Sequence, residues 1–234
     1  AGNQVTRHKM KADAAVMHPS RNIIALRGAN LLQVFDLDTR QKLKSFNVPD
    51  GMVVSFWQWI DNDTLVIVAG GNVLHWSLNG NANPAGVFQL LPQLAQAQIL
   101  SYCVSHDANW NAVFALAQEN GAIVGKVQLY SRERNVSQVI DAYCATFSQS
   151  GNVPLLCFVS KQAGQLKLNV FPLGSSPQAQ SFGKKLCDLP SPPEVQDDLP
   201  LQLVYSPKFA SIFLITRAGL LYIVEVETPF LYIS

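Results

Sequence analysis

A strand-like hairpin recurs five times along the chain, and no other feature of the sequence narrows its fold as much. The paired runs are Ile23 to Leu26 with Leu31 to Leu37, Thr64 to Val68 with Val73 to Ser77, Ala112 to Leu116 with Ile123 to Tyr130, Leu155 to Val159 with Leu166 to Phe171, and Ser211 to Thr216 with Leu220 to Val226. In each pair a β-branched or aromatic run meets a short turn carrying Gly, Asn or Lys and is followed by a second such run. The second runs end near Phe35, Trp76, Tyr130, Phe171 and Val224, roughly 40 to 55 residues apart, which is the period of a four-stranded propeller blade. The pattern predicts an all-β chain, a β-propeller of four-stranded blades with five blade-like units. Helical periodicity is nearly absent. Only Val87 to Leu100 carries enough Gln, Ala and Leu for a turn or two of helix, and Pro92 interrupts it. Leu189 to Pro200, Pro-rich and acidic, reads as a connection between blades because a further hairpin follows it.

Composition agrees with many short buried strands. Hydrophobic residues make up 48% of the 234 and charged residues 14%. The longest apolar runs, at Phe213 to Ile215 and Leu220 to Val224, are broken by Thr216, Arg217 or Glu225, far short of the roughly 20 residues a bilayer-spanning helix needs. A net charge of +1 offers no clustered positive field for nucleic acid or anionic lipid, so neither is an expected partner. The four cysteines, Cys103, Cys144, Cys157 and Cys187, show no metal-ligand spacing and read as free buried thiols. Ala1 to Lys11 is polar and basic without an apolar signal core, which predicts a cytosolic setting and makes the sequons at Asn62 and Asn135 accidental.

Several segments together are more specific than the repeat: ADAAVMHPSRNIIAL (Ala12 to Leu26), LLQVFDLDTRQKLK (Leu31 to Lys44), VSFWQWI (Val54 to Ile60), VGKVQLYSRERNVSQ (Val124 to Gln138), PPEVQDDLP (Pro192 to Pro200) and FLITRAGLLYIVEVET (Phe213 to Thr228). In order and spacing they resemble the N-terminal, terminal-domain propeller of the clathrin heavy chain. The resemblance implies one propeller domain over residues 1–234, seven-bladed in the family, with the first blade and the closing strands lying outside this chain. It also implies a non-enzymatic coat component on the cytoplasmic face of coated pits and vesicles, needing no cofactor or metal. Its partners would be cargo adaptors, held through short peptide motifs. Other heavy chains would assemble into a trimer, and the light chain would bind, through regions elsewhere on the full chain.

By the same resemblance three sites can be placed. Ile24, Leu31, Gln33 and Phe35 match the wall of an inter-blade groove that takes a motif of the form leucine, apolar, any, apolar, acidic, and Arg40 and Lys42 match its basic rim. Leu31 stands where the family carries a hydroxyl residue. Thr6 and His8 fall near the opposite wall. Trp110, Leu129, Arg134, Val136 and Gln138 match a second inter-blade groove, and Gln98, Leu100 and Leu116 part of a pocket at the central channel. Without the family, Ile24 and Phe35 could be blade core, Arg40 and Lys42 a solvated turn, and the RERN stretch a hairpin tip. Two other readings use the same repeats: a propeller scaffold of another coat or regulatory complex, and a propeller glycoside hydrolase using Asp61, Asp63, Asp197 or Asp198. Against the hydrolase, these carboxylates sit in turn-like sequence, where Asp bonds its own backbone, and the four histidines, His8, His18, His75 and His106, have no catalytic partner spacing.

Overall fold

A computed structural model of the chain describes residues 11–195 and 198–227 with their side chains, and 231–233 as backbone. Among the described residues, twenty strands form five antiparallel sheets of four, each a simple meander. They fall into two compact units, Ala1–Phe88 and Gln89–Ser234.

The first unit holds two sheets. One contains β1 (Ala14–Met17), β2 (Ile23–Arg27), β3 (Leu31–Asp36) and β4 (Lys42–Asn47), and the other β5 (Val54–Trp59), β6 (Thr64–Ala69), β7 (Asn72–Ser77) and β8 (Ala85–Gln89). Ile23, Ala25, Leu32 and Val34 project from one face of the first sheet and pack with Trp59, Leu65, Ile67, Ala69 and Trp76 of the second. Period-two alternation explains the buried face of the first sheet, built from Ile23 and Ala25 of β2 and Leu32 and Val34 of β3. The continuous apolar run of β6 is the pattern of a strand buried on both faces, and Leu65 to Ala69 are all fully buried. Polar ties fix the two sheets at their ends. The Lys44 ammonium donates to the carbonyls of Ser77, Gly80 and Asn81 at 2.5, 2.8 and 2.7 Å. His18, buried against the edge of Trp59, joins Asn62 O through Nε2 at 3.0 Å. Its Nδ1 accepts from the backbone N–H groups of Ser20 and Arg21, so Nε2 is the ring nitrogen that carries the proton.

Three sheets form the second unit. They comprise β9 (Gln98–Val104), β10 (Trp110–Glu119), β11 (Ala122–Ser131) and β12 (Val136–Asp141); β13 (Cys144–Ser150), β14 (Val153–Gln162), β15 (Gln165–Pro172) and β16 (Lys185–Leu189); and β17 (Pro200–Ser206), β18 (Ser211–Thr216), β19 (Leu221–Glu225) and β20 (Leu231–Ile233). The middle sheet is packed on both faces. Ala145, Phe147, Leu156 and Phe158 meet Ala112, Phe114, Val127 and Leu129 on one side, while Leu155, Cys157, Leu168 and Val170 meet Leu203, Ile212, Leu214 and Tyr222 on the other. At Gly125 the backbone of β11 runs so close to the β12–β13 connection that a Cβ would lie 2.3 Å from Ala142 O and 2.7 Å from Tyr143 Cα. Only glycine fits there.

All five hairpins read from the sequence are the central strand pairs of the five sheets. The expectation of helix in Val87 to Leu100 shrinks to one 3-10 turn, Pro92–Leu94, between β8 and β9. Pro92 opens that turn instead of interrupting a helix, because a first-turn N–H has no intrahelical partner to lose. One short helix was not expected from the sequence, α1 (Pro177–Phe182) between β15 and β16. Its signal is local: the Ser176 hydroxyl caps the Ala179 N–H, and Pro177 follows at the first helical position. Ala179 and Phe182 then pack into the core beneath.

Candidate functional site

The residues assigned to the first groove, apart from Arg40 in a turn, share the face of the β1–β4 sheet that points away from its buried cluster. Strand register assembles it in rows. Met17, Ile24, Phe35 and Lys42 stand side by side across the four strands, and Ala15, Leu26, Gln33 and Ser45 form the next row. Leu31 opposite Asn47 extends the same face by one more row. Leu26 is buried, Ile24, Leu31, Gln33 and Phe35 are half-buried, and Met17 and Lys42 are exposed. The buried cluster shared with the second sheet takes in their neighbours Ile23, Ala25, Leu32 and Val34, which project from the opposite face.

A β-bulge makes this arrangement possible. Between Val34 and Phe35 the pairing with β4 slips by one residue, so Phe35 pairs with Lys42, Val34 with Lys44, and exposed Leu43 is the extra residue. Regular alternation would have put Lys42 and Lys44 on the same, inner face. With the bulge, Lys44 turns inward to its three carbonyls and Lys42 joins Phe35 on the outer face. Burial alone lowers the Lys44 pKa. Arg40 is exposed in the β3–β4 turn with φ of 59°. The turn is pinned by Asp36, whose carboxylate accepts from the Thr39 and Asp38 N–H groups at 2.9 Å each. The Thr39 amide, aided by Asp38 and the charge of Arg21, holds the Asp36 carboxyl below its usual pKa. Apolar and amide side chains with two cations at one end can take an extended chain with apolar residues and an acidic end. Thr6 and His8, assigned to the opposite wall, lie outside the described residues.

The second set divides between core and surface. Leu129 pairs with both Ala112 and Gln138, while Ser131 pairs with Trp110 and Val136, so all of these share the face turned toward the β13–β16 sheet. Leu129 is buried in the core between the sheets, and Trp110 is half-buried at its margin. Val136 and Gln138, on the edge strand β12, are exposed, as is Arg134 in the preceding turn. Of the third set, Gln98 and Leu116 form a cross-strand pair, whereas Leu100 is the exposed extra residue of a second bulge. The structure thus joins two of those three residues directly.

The carboxylates weighed for catalysis do turn work. Asp61 accepts from the Asp63 N–H at 2.7 Å, Asp63 pairs with Arg21 at 3.2 Å, and Asp198 accepts from the Leu199 and Ala218 N–H groups. Asp197 lies outside the described residues. Among those described, no three His, Cys, Asp or Glu side chains converge as a metal site, and no helix is long and apolar enough to cross a membrane. All four cysteines are free. Burial pushes the Cys103 and Cys157 thiols up to about 12 and raises those of Cys144 and Cys187 as well. Thiolate is the reactive form, so a thiol with a pKa near 12 is ionised at pH 8 at about one part in ten thousand. A disulfide reagent at that pH is expected to label the native protein slowly and all four thiols promptly after unfolding; rapid native labelling of Cys103 or Cys157 would contradict the burial.

In fold, the chain resembles WD40-type proteins. It superposes on Kluyveromyces lactis Hsv2 with a TM-score of 0.54 over 94% of this chain and 63% of that one, at 10% identity. The WD40 domain of SCAP from fission yeast gives 0.51 over 96% and 52%, at 9% identity. Likeness at such identities concerns the fold alone. Sequence similarity is narrower. The chain is 34% identical over 230 residues to the clathrin heavy chain of Drosophila melanogaster, 36% over 245 to clathrin heavy chain 1 of Arabidopsis thaliana and 30% over 229 to clathrin heavy chain 2 of Homo sapiens. These alignments cover 95 to 96% of this chain and 14% of each relative. No family model matches. The clathrin heavy chain resemblance read from the motifs therefore holds across nearly the whole chain, which spans about one-seventh of the length of the relatives it matches.

Proposed function

We propose that this chain is the adaptor-docking part of a coat lattice, a non-catalytic module whose sheets belong to a seven-bladed ring completed by sequence outside these 234 residues. It works on the cytoplasmic face of coated pits and vesicles, while trimerisation and light-chain binding use other parts of the full protein. What supports the reading is the similarity to clathrin heavy chains together with one structural observation: Ile24, Leu31, Gln33, Phe35 and Lys42 share a single half-open sheet face. That face would take an extended peptide with leucine and a second apolar side chain laid across Ile24 and Phe35. Gln33 would bond the peptide backbone, and Arg40 and Lys42 would meet the terminal acidic group. The second groove, at Trp110, Arg134, Val136 and Gln138, would hold a longer adaptor loop, and Gln98 with Leu116 part of the channel pocket.

Single contacts of this size give modest affinity, on the order of 4 to 8 kcal/mol, and a lattice gains strength by repeating them. Titration of a labelled peptide with the leucine, apolar, any, apolar, acidic pattern tests the assignment. Micromolar to millimolar binding is expected, and indifference to replacing the acidic residue would remove Arg40 and Lys42 from the site. Reversing both cations, Arg40→Glu with Lys42→Glu, is expected to weaken the peptide about tenfold or more at low salt. The difference should shrink as salt rises, because both charges are exposed and screened.

A further inference from the structure

The β13–β16 sheet gives the second groove an opposite wall that the motif resemblance did not include. Register sets that wall out in rows: Ala145, Phe158, Asn169 and Leu186 stand side by side across the four strands, and Phe147, Leu156 and Phe171 form the next. Ala145, Phe147, Leu156 and Phe158 are buried against the β9–β12 sheet, so Leu186 lies on that side too. Lys184, one residue before β16, extends the second row, with its Nζ 4.7 Å from the centroid of the Phe171 ring. The two sheets approach most closely where β9, β10 and β11 meet β13. The edge strands β12 and β16 therefore form the lips, where Val136 is 59% and Leu186 53% exposed. Asn169, 6% exposed, donates through Nδ2 to the Phe158 carbonyl, Ser160 Oγ and the Lys167 carbonyl, and nothing among the described residues donates to its Oδ1. Neither Lys184 nor Arg134 has an ion-pair partner among those residues.

We propose that Leu186 and Lys184 make the second groove selective for an extended peptide carrying an apolar and an acidic side chain two residues apart, with an apolar residue between them. The inference rests on the reading of that groove as a peptide site and names the chemistry it selects. A lone exposed leucine is ordinary on a protein surface. This one continues a buried apolar row and stands beside a cation that lacks a carboxylate. Leu186 and Lys184 are two positions apart along the chain, about 7 Å in extended backbone, and the side chains of an extended peptide alternate between facing walls. A peptide lying along β16 thus sets its first and third residues against Leu186 and Lys184, and its second against Val136 and Ile140 on β12. The apolar residue covers Leu186, and the acid pairs with the Lys184 ammonium. Asn169 Oδ1 offers an acceptor to a peptide N–H group, the contact that binds main chain whatever its sequence.

The test is fluorescence anisotropy of the 234-residue protein with two labelled, amidated peptides, Gly-Ser-Leu-Val-Glu-Ser-Gly and Gly-Ser-Glu-Val-Leu-Ser-Gly, one for each chain direction. Saturable binding of at least one is expected. Leu186→Asp should weaken it about tenfold or more, and Lys184→Glu by a similar factor at low salt. Lys184→Glu should in turn prefer the peptide with lysine in place of glutamate, a reversal that a merely structural role would not produce. Both side chains are exposed, at or beside an edge strand, so the melting temperature should hold. Phe35→Asp, on the β1–β4 face, should leave binding unchanged. No saturable binding, full binding by Leu186→Asp, an unreversed charge preference, or loss in Phe35→Asp would each overturn the proposal. Val136→Asp separates the two failures: binding lost there but kept in the Leu186 and Lys184 variants would remove the opposite wall alone, whereas binding kept in all three would remove the groove as well.

Discussion

Replacing Gly125 with valine is expected to destabilise the second unit by about 3 kcal/mol or more, the upper end of the cost of forcing extra atoms into a packed interior. The reason is backbone, not side chain. A Cβ there meets Ala142 O at 2.3 Å and Tyr143 Cα at 2.7 Å, and neither can swing away as a flexible side-chain tip could. Relief requires β11 to separate from the β12–β13 connection. That would break the Ala142 N–H to Gly125 O bond of 3.1 Å and loosen the core around Val127, Leu129 and Ala142. A melting temperature lowered by roughly 10 °C would be the corresponding observation. Gly121, in the neighbouring turn, has nothing within 4 Å of a built Cβ but a φ of +81°, so Gly121→Asn should be nearly neutral and serves as the control. A Gly125 variant as stable as the parent would mean that the close approach does not exist.

Phe35→Asp should remove binding of the adaptor-type peptide and leave the fold in place. The side chain is half-buried on the outer face, its row-mates are Ile24 and Lys42, and the core on the other side of the sheet is built from Ile23, Ala25, Leu32 and Val34. Removing an aromatic contact of this kind costs roughly 1.5 to 3 kcal/mol, a tenfold to hundredfold loss of affinity, and a carboxylate facing the peptide's acidic end adds repulsion. Val34→Asp, one residue away on the inner face, should instead unfold the first unit, since Val34 is fully buried. The pair separates binding from stability: similar losses of folding in both variants would put Phe35 back in the core.

The hairpins were legible because apolar strand runs between turn residues survive in every central strand pair, alternating as in IIAL followed by LLQVF or continuous as in TLVIVA. The edge strands were not. KLKSFN in β4 and VSQVID in β12 are mostly polar or half-exposed and look like loop until a neighbouring strand pairs with them. For the candidate site, motif resemblance supplied the residues, but alternation alone would have put Lys42 and Lys44 on one face. The bulge opposite Phe35 separates them, and the slip of a single residue leaves no mark in KLKSF that pattern reading could find. The place of Leu100 was hidden for the same reason, since a second bulge sets it apart from the Gln98–Leu116 pair. Asp198 was read as a turn residue, and its carboxylate accepts the Leu199 and Ala218 N–H groups, the second of them on a turn distant in sequence that only coordinates could bring beside it.

The central claim is that the outer face of the β1–β4 sheet is where the peptide lies. Its most direct test places a photo-reactive leucine analogue at the first position of the peptide and maps the cross-linked residues by mass spectrometry. Adducts are expected on β2 and β3, concentrated at Ile24, Gln33 and Phe35, and lost on competition with unlabelled peptide. Competable adducts confined to Trp110, Val136 or Gln138, with none on β2 or β3, would contradict the account and move recognition to the β9–β12 sheet.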